Sequence, residues 1–186
     1  PEELLLLMDA GDAERDEAEG EHGDAASRSV EGNRASHRVE GNAARVERNA
    51  AGKYAVAYIC KEPVNAMDAE LWEELQHVLD EMEADKGVRA LVFASGLQRD
   101  IFTAGNDLKE LYGPLISEES YRRFWGAQNT FLPRLYRSPL YTVAAVRGAC
   151  PAGGCILSLM CDHRVQTAQG HIGLNEVALG IPVPRF

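Results

Sequence analysis

Two glycine-rich segments have the composition needed to bind an oxygen anion through backbone N–H groups. They are FTAGND at 102–107 and GACPAGGC at 148–155. Each follows an apolar, strand-like run and precedes a helical pattern, so each brings small residues to the start of a helix. The first N–H groups of a helix have no partner within it and carry a partial positive charge, which suits a carbonyl oxygen that becomes anionic. Either segment alone is also compatible with an ordinary turn.

A carboxylate, Glu176, follows these segments within GLNEVALGI at 173–181. A carboxylate can remove the weakly acidic proton beside a carbonyl only if the enolate oxygen is stabilised, and losing one donor to that oxygen costs about 10²–10³ in rate. The carboxylate must also reach the proton, and apolar surroundings make it a stronger base. Four neighbours are candidates for such surroundings: Leu174, Val177, Leu179 and Ile181. By its position alone, Glu176 could equally be an exposed loop residue.

Strand and helix patterns alternate around these segments and predict an α/β fold. A helix is expected from an N-cap at Asp68 to about Asp85, because apolar residues recur on one face. A second helical pattern runs over 117–137 and carries Trp125 and Phe131. Strands are expected at 53–60, 88–95, 140–146 and 162–168, and a further helix at 153–161. Alternation of this kind favours a parallel sheet with right-handed crossovers.

The N-terminal segment differs in composition from the rest of the chain. Residues 1–50 hold 13 Asp or Glu against 6 Arg, a net charge of −7, whereas the whole chain carries −10. Large apolar side chains are rare between residues 9 and 51, so this segment cannot bury enough surface to offset the entropy of ordering. We therefore expect a disordered leader at 1–52 and one domain at 53–186. No basic stripe favours nucleic acid, and no apolar run favours membrane insertion.

The chain has four cysteines whose spacing fits no common zinc site: Cys60, Cys150, Cys155 and Cys161. We expect small, buried, reduced thiols. A metal site formed by Cys161 and His163 is the alternative. His163 and His171 are otherwise expected to be structural, and no metal is predicted.

Four motifs follow one another along the chain: PVNAM at 63–67, FTAGNDL at 102–108, GACPAGGCILSLMCDHRV at 148–165 and GLNEVALGI at 173–181. In this order they resemble the motifs of the crotonase (enoyl-CoA hydratase/isomerase) superfamily. The resemblance covers roughly residues 53–186 and is strongest to the mitochondrial Δ3,Δ2-enoyl-CoA isomerases. It implies an α/β fold with the ββα spiral core that crotonases share with ClpP. It also implies an acyl-CoA thioester as substrate and no cofactor, since coenzyme A is part of that substrate.

The resemblance implies roles for individual residues. The backbone N–H groups of Asn106 and Gly153 would form an oxyanion hole for the thioester carbonyl, and Glu176 would be the catalytic base. The first loop would also line the substrate path, through Ala104, Gly105, Asn106, Asp107 and Leu108. Asp107 is expected to cap the helix that follows, with a role as second acid as the alternative. Asn106 replaces the apolar residue that isomerases commonly have there, a difference that could change substrate fit.

One position separates isomerisation from hydration. Hydratases of the superfamily use two glutamates, and the first directly follows the Gly-Gly-Cys stretch, where this chain has Ile156. Ile156 cannot activate water, so Glu176 is left to move a proton from C2 to C4. The sequence therefore predicts a Δ3,Δ2-enoyl-CoA isomerase of fatty-acid β-oxidation, with Trp125 and Phe131 in the core or along an acyl tunnel. Hydration or another crotonase reaction is the alternative.

The sequence ends ten residues after Glu176, whereas crotonase domains ordinarily continue through further helices. We therefore expect a C-terminally truncated domain with an incomplete acyl pocket. A non-catalytic subunit that assembles with longer copies is accordingly a third hypothesis. The full-length form is expected to be a homotrimer. The resemblance favours the mitochondrial matrix, with the peroxisome as the alternative.

Overall fold

One five-stranded sheet and one two-stranded sheet organise the chain. The computed structural model describes residues 43–49, 53–111 and 117–180. The strands are β1 (Ala44–Arg48), β2 (Tyr54–Ile59), β3 (Ala90–Ser95), β4 (Tyr141–Val146), β5 (Ala149–Pro151), β6 (His163–Gln166) and β7 (His171–Gly173). The helices are α1 (Ala69–Ala84), α2 (Leu108–Leu111), α3 (Glu118–Tyr136) and α4 (Gly153–Met160), and a short 3₁₀ helix covers Glu176–Leu179.

The larger sheet has the strand order β1-β2-β3-β4-β6. Strands β2, β3, β4 and β6 are parallel to one another, with Tyr54 opposite Ala90 and Ala90 opposite Tyr141. Helices α1, α3 and α4 lie in the connections between these strands, as parallel pairing requires. The smaller sheet is the parallel pair β5 and β7. The predicted α/β fold with a mainly parallel sheet is confirmed.

Helices α1 and α3 pack against each other and against the sheet through aromatic contacts. The ring of Phe131 on α3 lies 5.8 Å from that of Trp72 on α1 and 6.2 Å from that of Phe93 on β3. Helix α1 begins where predicted, since the Asp68 side chain accepts a hydrogen bond of 3.0 Å from the N–H of Leu71. Phe131 is fully buried, so its expected place in the core is confirmed.

Strand β1 corrects the expectation of a disordered leader up to residue 52. It pairs antiparallel with β2, placing Ala44 opposite Ile59. Ala44 and Val46 are buried, whereas Arg45 and Glu47 are only half-buried, which is the alternation of a strand with one covered face. Two small apolar residues in a five-residue strand are too weak a pattern to recognise without the neighbouring strand. The leader's other residues, 1–42 and 50–52, lie outside the described residues.

Candidate active site

The loop at 102–107 uses the backbone N–H groups on both sides of Asn106 to hold its own shape. The N–H groups of Phe102 and Thr103 donate to the carbonyl of Ala149 at 2.9 and 3.2 Å, and that of Ala104 donates to the carbonyl of Val64 at 2.8 Å. The N–H of Gly105 donates to the hydroxyl of Thr103 at 3.0 Å, and that of Asp107 donates to the carbonyl of Met67 at 3.0 Å. The N–H of Asn106 has no acceptor in the described part of the chain. Asn106 is half-buried, and its N–H is available to an external oxygen because no group in this part of the chain accepts from it.

A buried asparagine, Asn65, anchors this loop. Its Nδ2 donates to the carbonyl of Phe102 at 2.9 Å and to Oγ of Ser95 at 3.0 Å, while its Oδ1 accepts from the N–H of Lys61 at 2.8 Å. The hydroxyl of Thr103 donates to the carbonyl of Asn65 at 2.5 Å. Asn65 has φ of 52°, a left-handed conformation that asparagine tolerates better than most residues. Asn65 lies in the PVNAM motif, but no pattern in the sequence predicts this anchoring role.

Helix α4 begins at Gly153 without a side-chain cap. The residue before it, Ala152, has φ of 46°, which is unusual for a residue other than glycine. The N–H of Ala152 donates to the carbonyl of Gly173 on β7 at 3.0 Å, and the helix's first internal bond runs from Ile156 to Ala152 at 3.0 Å. The N–H of Gly153 therefore has no acceptor among the residues described, at the positive end of the helix dipole.

The two loops are in direct contact at glycine positions. A Cβ on Gly153 would overlap Oδ1 of Asn106 and would lie 3.3 Å from the Asn106 nitrogen. Gly105 has φ of 87°, and a Cβ there would lie 2.9 Å from the carbonyl oxygen of Pro151. Larger residues at either position would push the loops apart. The structure thus brings together the two predicted backbone donors, Asn106 and Gly153, and leaves both N–H groups unpaired within the described residues.

Glu176 begins the 3₁₀ helix that follows β7 and is half-buried. Its Oε2 atom is buried and has no hydrogen-bond partner in the described regions. The pKa of the Cys155 thiol is raised by burial and, secondarily, by the negative charge of Glu176. Since Cys155 lies in the first turn of α4, the carboxylate is close enough to the start of that helix to affect a group there.

Two of the four apolar neighbours proposed for Glu176 do not enclose it. Leu174 is 52% exposed and Val177 is 85% exposed. Successive residues of a 3₁₀ helix point about 120° apart, so Val177 cannot share the buried side that Glu176 occupies. The prediction is wrong for these two residues. The side chain of Leu179 and all of Ile181 lie outside the described residues.

The remaining residues proposed for the substrate path differ in exposure. Ala104 and Leu108 are exposed, and Gly105 is buried between the loops. Asp107 accepts a hydrogen bond of 2.9 Å from the N–H of Lys109, so it caps α2 as expected. Oδ1 of Asp107 is therefore engaged by its own helix.

Helix α3 contributes a side chain that the sequence pattern does not predict. Gln128 is 1% exposed, and its Oε1 accepts a hydrogen bond of 3.0 Å from Nδ2 of Asn106. Three of the seven unpaired buried side-chain atoms in the described part of the chain belong to the proposed site residues or their direct neighbour: Asn106 Oδ1, Asn175 Oδ1 and Glu176 Oε2. Buried polar atoms normally have partners, so their concentration here is typical of a place that receives a ligand.

The cysteines are distributed as expected for reduced thiols. Cys150, Cys155 and Cys161 are buried, Cys60 is half-buried, and all four are free. Burial raises the pKa of Cys150 and of Cys161 to about 12. Within the described residues, no three His, Cys, Asp or Glu side chains gather as a metal site. Across the same residues, no helix combines the length and apolar character needed to cross a membrane.

Fold and site together place two unpaired backbone N–H groups, those of Asn106 and Gly153, beside each other, with the Glu176 carboxylate near the same helix start. A family model described as Enoyl-CoA hydratase/isomerase matches residues 52–185. The chain belongs to this family, the crotonases, and has the crotonase fold.

Curated relatives and solved structures give the same result. The chain is 40% identical over 141 residues to human "Enoyl-CoA delta isomerase 1, mitochondrial", covering 75% of this chain and 46% of that protein. It is 38% identical over 132 residues to a "Putative enoyl-CoA hydratase" of Thermus thermophilus, covering 69% and 51%. The structure of human mitochondrial delta3-delta2-enoyl-CoA isomerase superposes with a TM-score of 0.71 at 39% identity, covering 76% and 55%. The chain spans about half the length of these proteins.

Proposed function

We propose that the chain carries the site of a Δ3,Δ2-enoyl-CoA isomerase of fatty-acid β-oxidation, which converts a 3-enoyl-CoA into the 2-trans isomer. The observation that carries this proposal is the pair of unengaged N–H groups at Asn106 and Gly153, with the unpaired carboxylate oxygen of Glu176 near the same helix start. The human relative named as an isomerase supports it.

In this mechanism the thioester carbonyl oxygen accepts hydrogen bonds from the N–H groups of Asn106 and Gly153. Glu176 removes a proton from C2, and the electron pair of that C–H bond delocalises into the thioester, forming a dienolate whose oxygen is stabilised by both donors. The protonated Glu176 then returns the proton to C4. The double bond moves from C3–C4 to C2–C3, and no other reactant is consumed.

Ile156 favours this reaction over hydration. It lies on the first turn after the Gly153 donor and is half-buried against the core. An aliphatic side chain cannot accept a proton from water or orient it for attack. Glu176 is then the one acid/base that the described site offers to a bound acyl group, and one acid/base suffices for a proton shuttle.

The test compares wild type with Glu176→Gln on a 3-enoyl-CoA, following formation of the conjugated 2-enoyl thioester. Loss of the proton shuttle is expected to lower kcat by about 10²–10⁴. Glu119→Gln is the matched control, since Glu119 is an exposed glutamate on α3 and its replacement should leave kcat unchanged. Wild-type turnover in Glu176→Gln would overturn the mechanism.

Hydration is the second candidate, because a relative from Thermus thermophilus is named a putative enoyl-CoA hydratase. The same preparation is therefore offered a 2-enoyl-CoA, and water addition is measured as loss of conjugation. Addition of water at a rate above isomerisation would favour the hydratase. Absence of either reaction, together with co-purification of a longer homologue, would favour the non-catalytic subunit.

We further propose a mitochondrial location, which the printed names of the human, rat and mouse relatives support. Coenzyme A would arrive as part of the thioester, and no separate cofactor enters the mechanism. The homotrimer implied by the resemblance to crotonases stays a prediction. Light scattering on the purified protein would measure it.

A further inference from the structure

A single polar side chain interrupts the apolar stripe that α3 buries. The stripe consists of Phe124, Gln128, Phe131, Leu132 and Leu135. Gln128 is 1% exposed, and burying an amide is unfavourable unless it forms hydrogen bonds. It bonds to the side-chain amide of Asn106 at 3.0 Å, which connects α3 to the residue that carries the first proposed N–H donor. Each amide has a donor end and an acceptor end, so the pair can form this bond in either orientation.

Backbone bonds fix the direction of the Asn106 N–H. The peptide that carries this N–H also carries the carbonyl of Gly105, which accepts a hydrogen bond of 2.9 Å from the N–H of Met67. A trans peptide is planar and its N–H and carbonyl point in opposite directions, so the Asn106 N–H points away from Met67. The carbonyl of Met67 holds the following N–H, that of Asp107, at 3.0 Å. None of these bonds reaches α4, so they do not set the distance to the second donor.

The Asn106 side chain lies between this loop and the start of α4. A Cβ on Gly153 would lie 2.8 Å from Cγ of Asn106 and would overlap its Oδ1, so the amide packs directly against the residue that carries the second donor. Oδ1 is buried, which means that the amide fills the gap between the loops. The one hydrogen bond that Asn106 makes with the described residues is the bond to Gln128. Without that bond the amide is free to turn about its Cα–Cβ bond, and the gap can change.

We propose that Gln128 is a positioning residue of the oxyanion site: it holds the Asn106 side chain as a spacer that sets the separation between the N–H groups of Asn106 and Gly153. Oxyanion donors act over a narrow range of distances, about 2.7–3.1 Å, so a small change in their separation weakens one of them. Gln128 acts through Asn106 and takes no part in proton transfer. This inference rests on the proposed function, because a thioester enolate must occupy both N–H groups.

The first measurement is the pKa of acetoacetyl-CoA bound to the protein. Its C2 proton lies between two carbonyl groups, so it ionises to an enolate that is followed by its ultraviolet absorption. Two well-placed donors lower this pKa, and Gln128→Leu should raise it by about one, a tenfold weaker ionisation and less than the loss of a whole donor. Asn106→Ala removes the spacer, keeps the N–H and should have the same effect. The double variant should show no further rise, because the two residues act as one unit.

Turnover of a 3-enoyl-CoA is measured on the same variants. In Gln128→Leu, kcat should fall about 10-fold while KM stays close to that of wild type, because the spacer affects the enolate more than the bound thioester. Asn129→Leu, the same change at an exposed position of α3, should leave kcat and the pKa of the bound ligand unchanged. Leu135→Ala, in the buried stripe two turns further along α3, should lower the urea midpoint without changing that pKa.

An unchanged pKa of the ligand in Gln128→Leu would overturn this inference, as would effects of the two single variants that add in the double variant. Equal changes in Gln128→Leu and Leu135→Ala would also overturn it, because any loss of packing on α3 would then act alike. If Gln128→Leu does not fold, as judged by circular dichroism, Gln128→Met takes its place, since it keeps the unbranched shape without the amide.

Two results separate this inference from the isomerase itself. The expected pKa changes without turnover in wild type would reject the isomerase and leave the positioning role of Gln128 standing. Turnover in wild type with an unchanged pKa of the ligand in Gln128→Leu would reject the positioning role alone. A bound acetoacetyl-CoA whose pKa in wild type equals that in free solution would also reject it, because the two N–H groups would then stabilise no enolate.

Discussion

Gly153 must contribute its backbone N–H and no side chain, because a Cβ there would overlap Oδ1 of Asn106. Gly153→Ala should separate the two loops and misplace one donor. We expect kcat on a 3-enoyl-CoA to fall by about 10²–10³, the usual effect of losing one oxyanion donor. Steady-state kinetics on the folded variant measure this effect.

The matched control is Gly126→Ala on α3, where an added Cβ meets open space. This change should leave kcat unaltered and raise the free energy of unfolding by about 0.5–1 kcal/mol, since glycine is unfavourable inside a helix. Wild-type kcat in Gly153→Ala would show that contact between the loops does not shape the site.

The local sequence predicts the roles of some site residues but not of others. Asn106 and Gly153 occur in glycine-rich segments before helices, and that local pattern pointed to both. Asn65 and Gln128 act through side-chain bonds across separations of 37 and 22 residues. Such contacts depend on how loops and helices meet in space, so no pattern within the segment itself predicts them.

At the scale of elements, α1 is the helix most strongly determined by its own sequence. Asp68 accepts the N–H of Leu71 and also pairs with Lys61. Asp68→Ala should lower the free energy of unfolding by about 1 kcal/mol, because an N-terminal N–H group loses its partner. Urea denaturation measures this loss, and Glu81→Ala, at an exposed position of the same helix, should change stability by less than about 0.5 kcal/mol. Equal effects of the two substitutions would contradict the capping role.

The long helices that were predicted and strand β1, which was missed, differ in signal strength; the three-residue strands β5 and β7 were also missed. Helices α1 and α3 bury long stripes of large residues, which extend over about four turns in α1 and about three turns in α3. Strand β1 has two small buried residues, and its place is fixed by pairing with β2. Edge strands depend on a neighbour for their hydrogen bonds, so their own sequence carries less information.

At the scale of the whole molecule, three buried cysteines lie on or beside α4, which begins at the proposed oxyanion site. Cys150 is on β5, Cys155 is in the first turn of α4, and Cys161 follows its last residue. Each of these cysteines is at most 5% exposed. They are buried by the described residues themselves, in a chain that spans about half the length of its relatives. The described part of the chain thus builds a core under the site.

The reactivity of these three thiols therefore shows whether the core unfolds as one unit. Burial raises the pKa of Cys150 and Cys161 to about 12 and raises that of Cys155 as well. A raised pKa means less thiolate at a given pH, and a thiol with a pKa near 12 is about one part in 10⁴ thiolate at pH 8.

In native buffer at pH 8, iodoacetamide should therefore modify the half-buried Cys60 first. Mass spectrometry should then show the other three reacting together as urea unfolds the protein, because each requires the same opening. Equal modification of all four cysteines before unfolding would show that the region around α4 is open in solution.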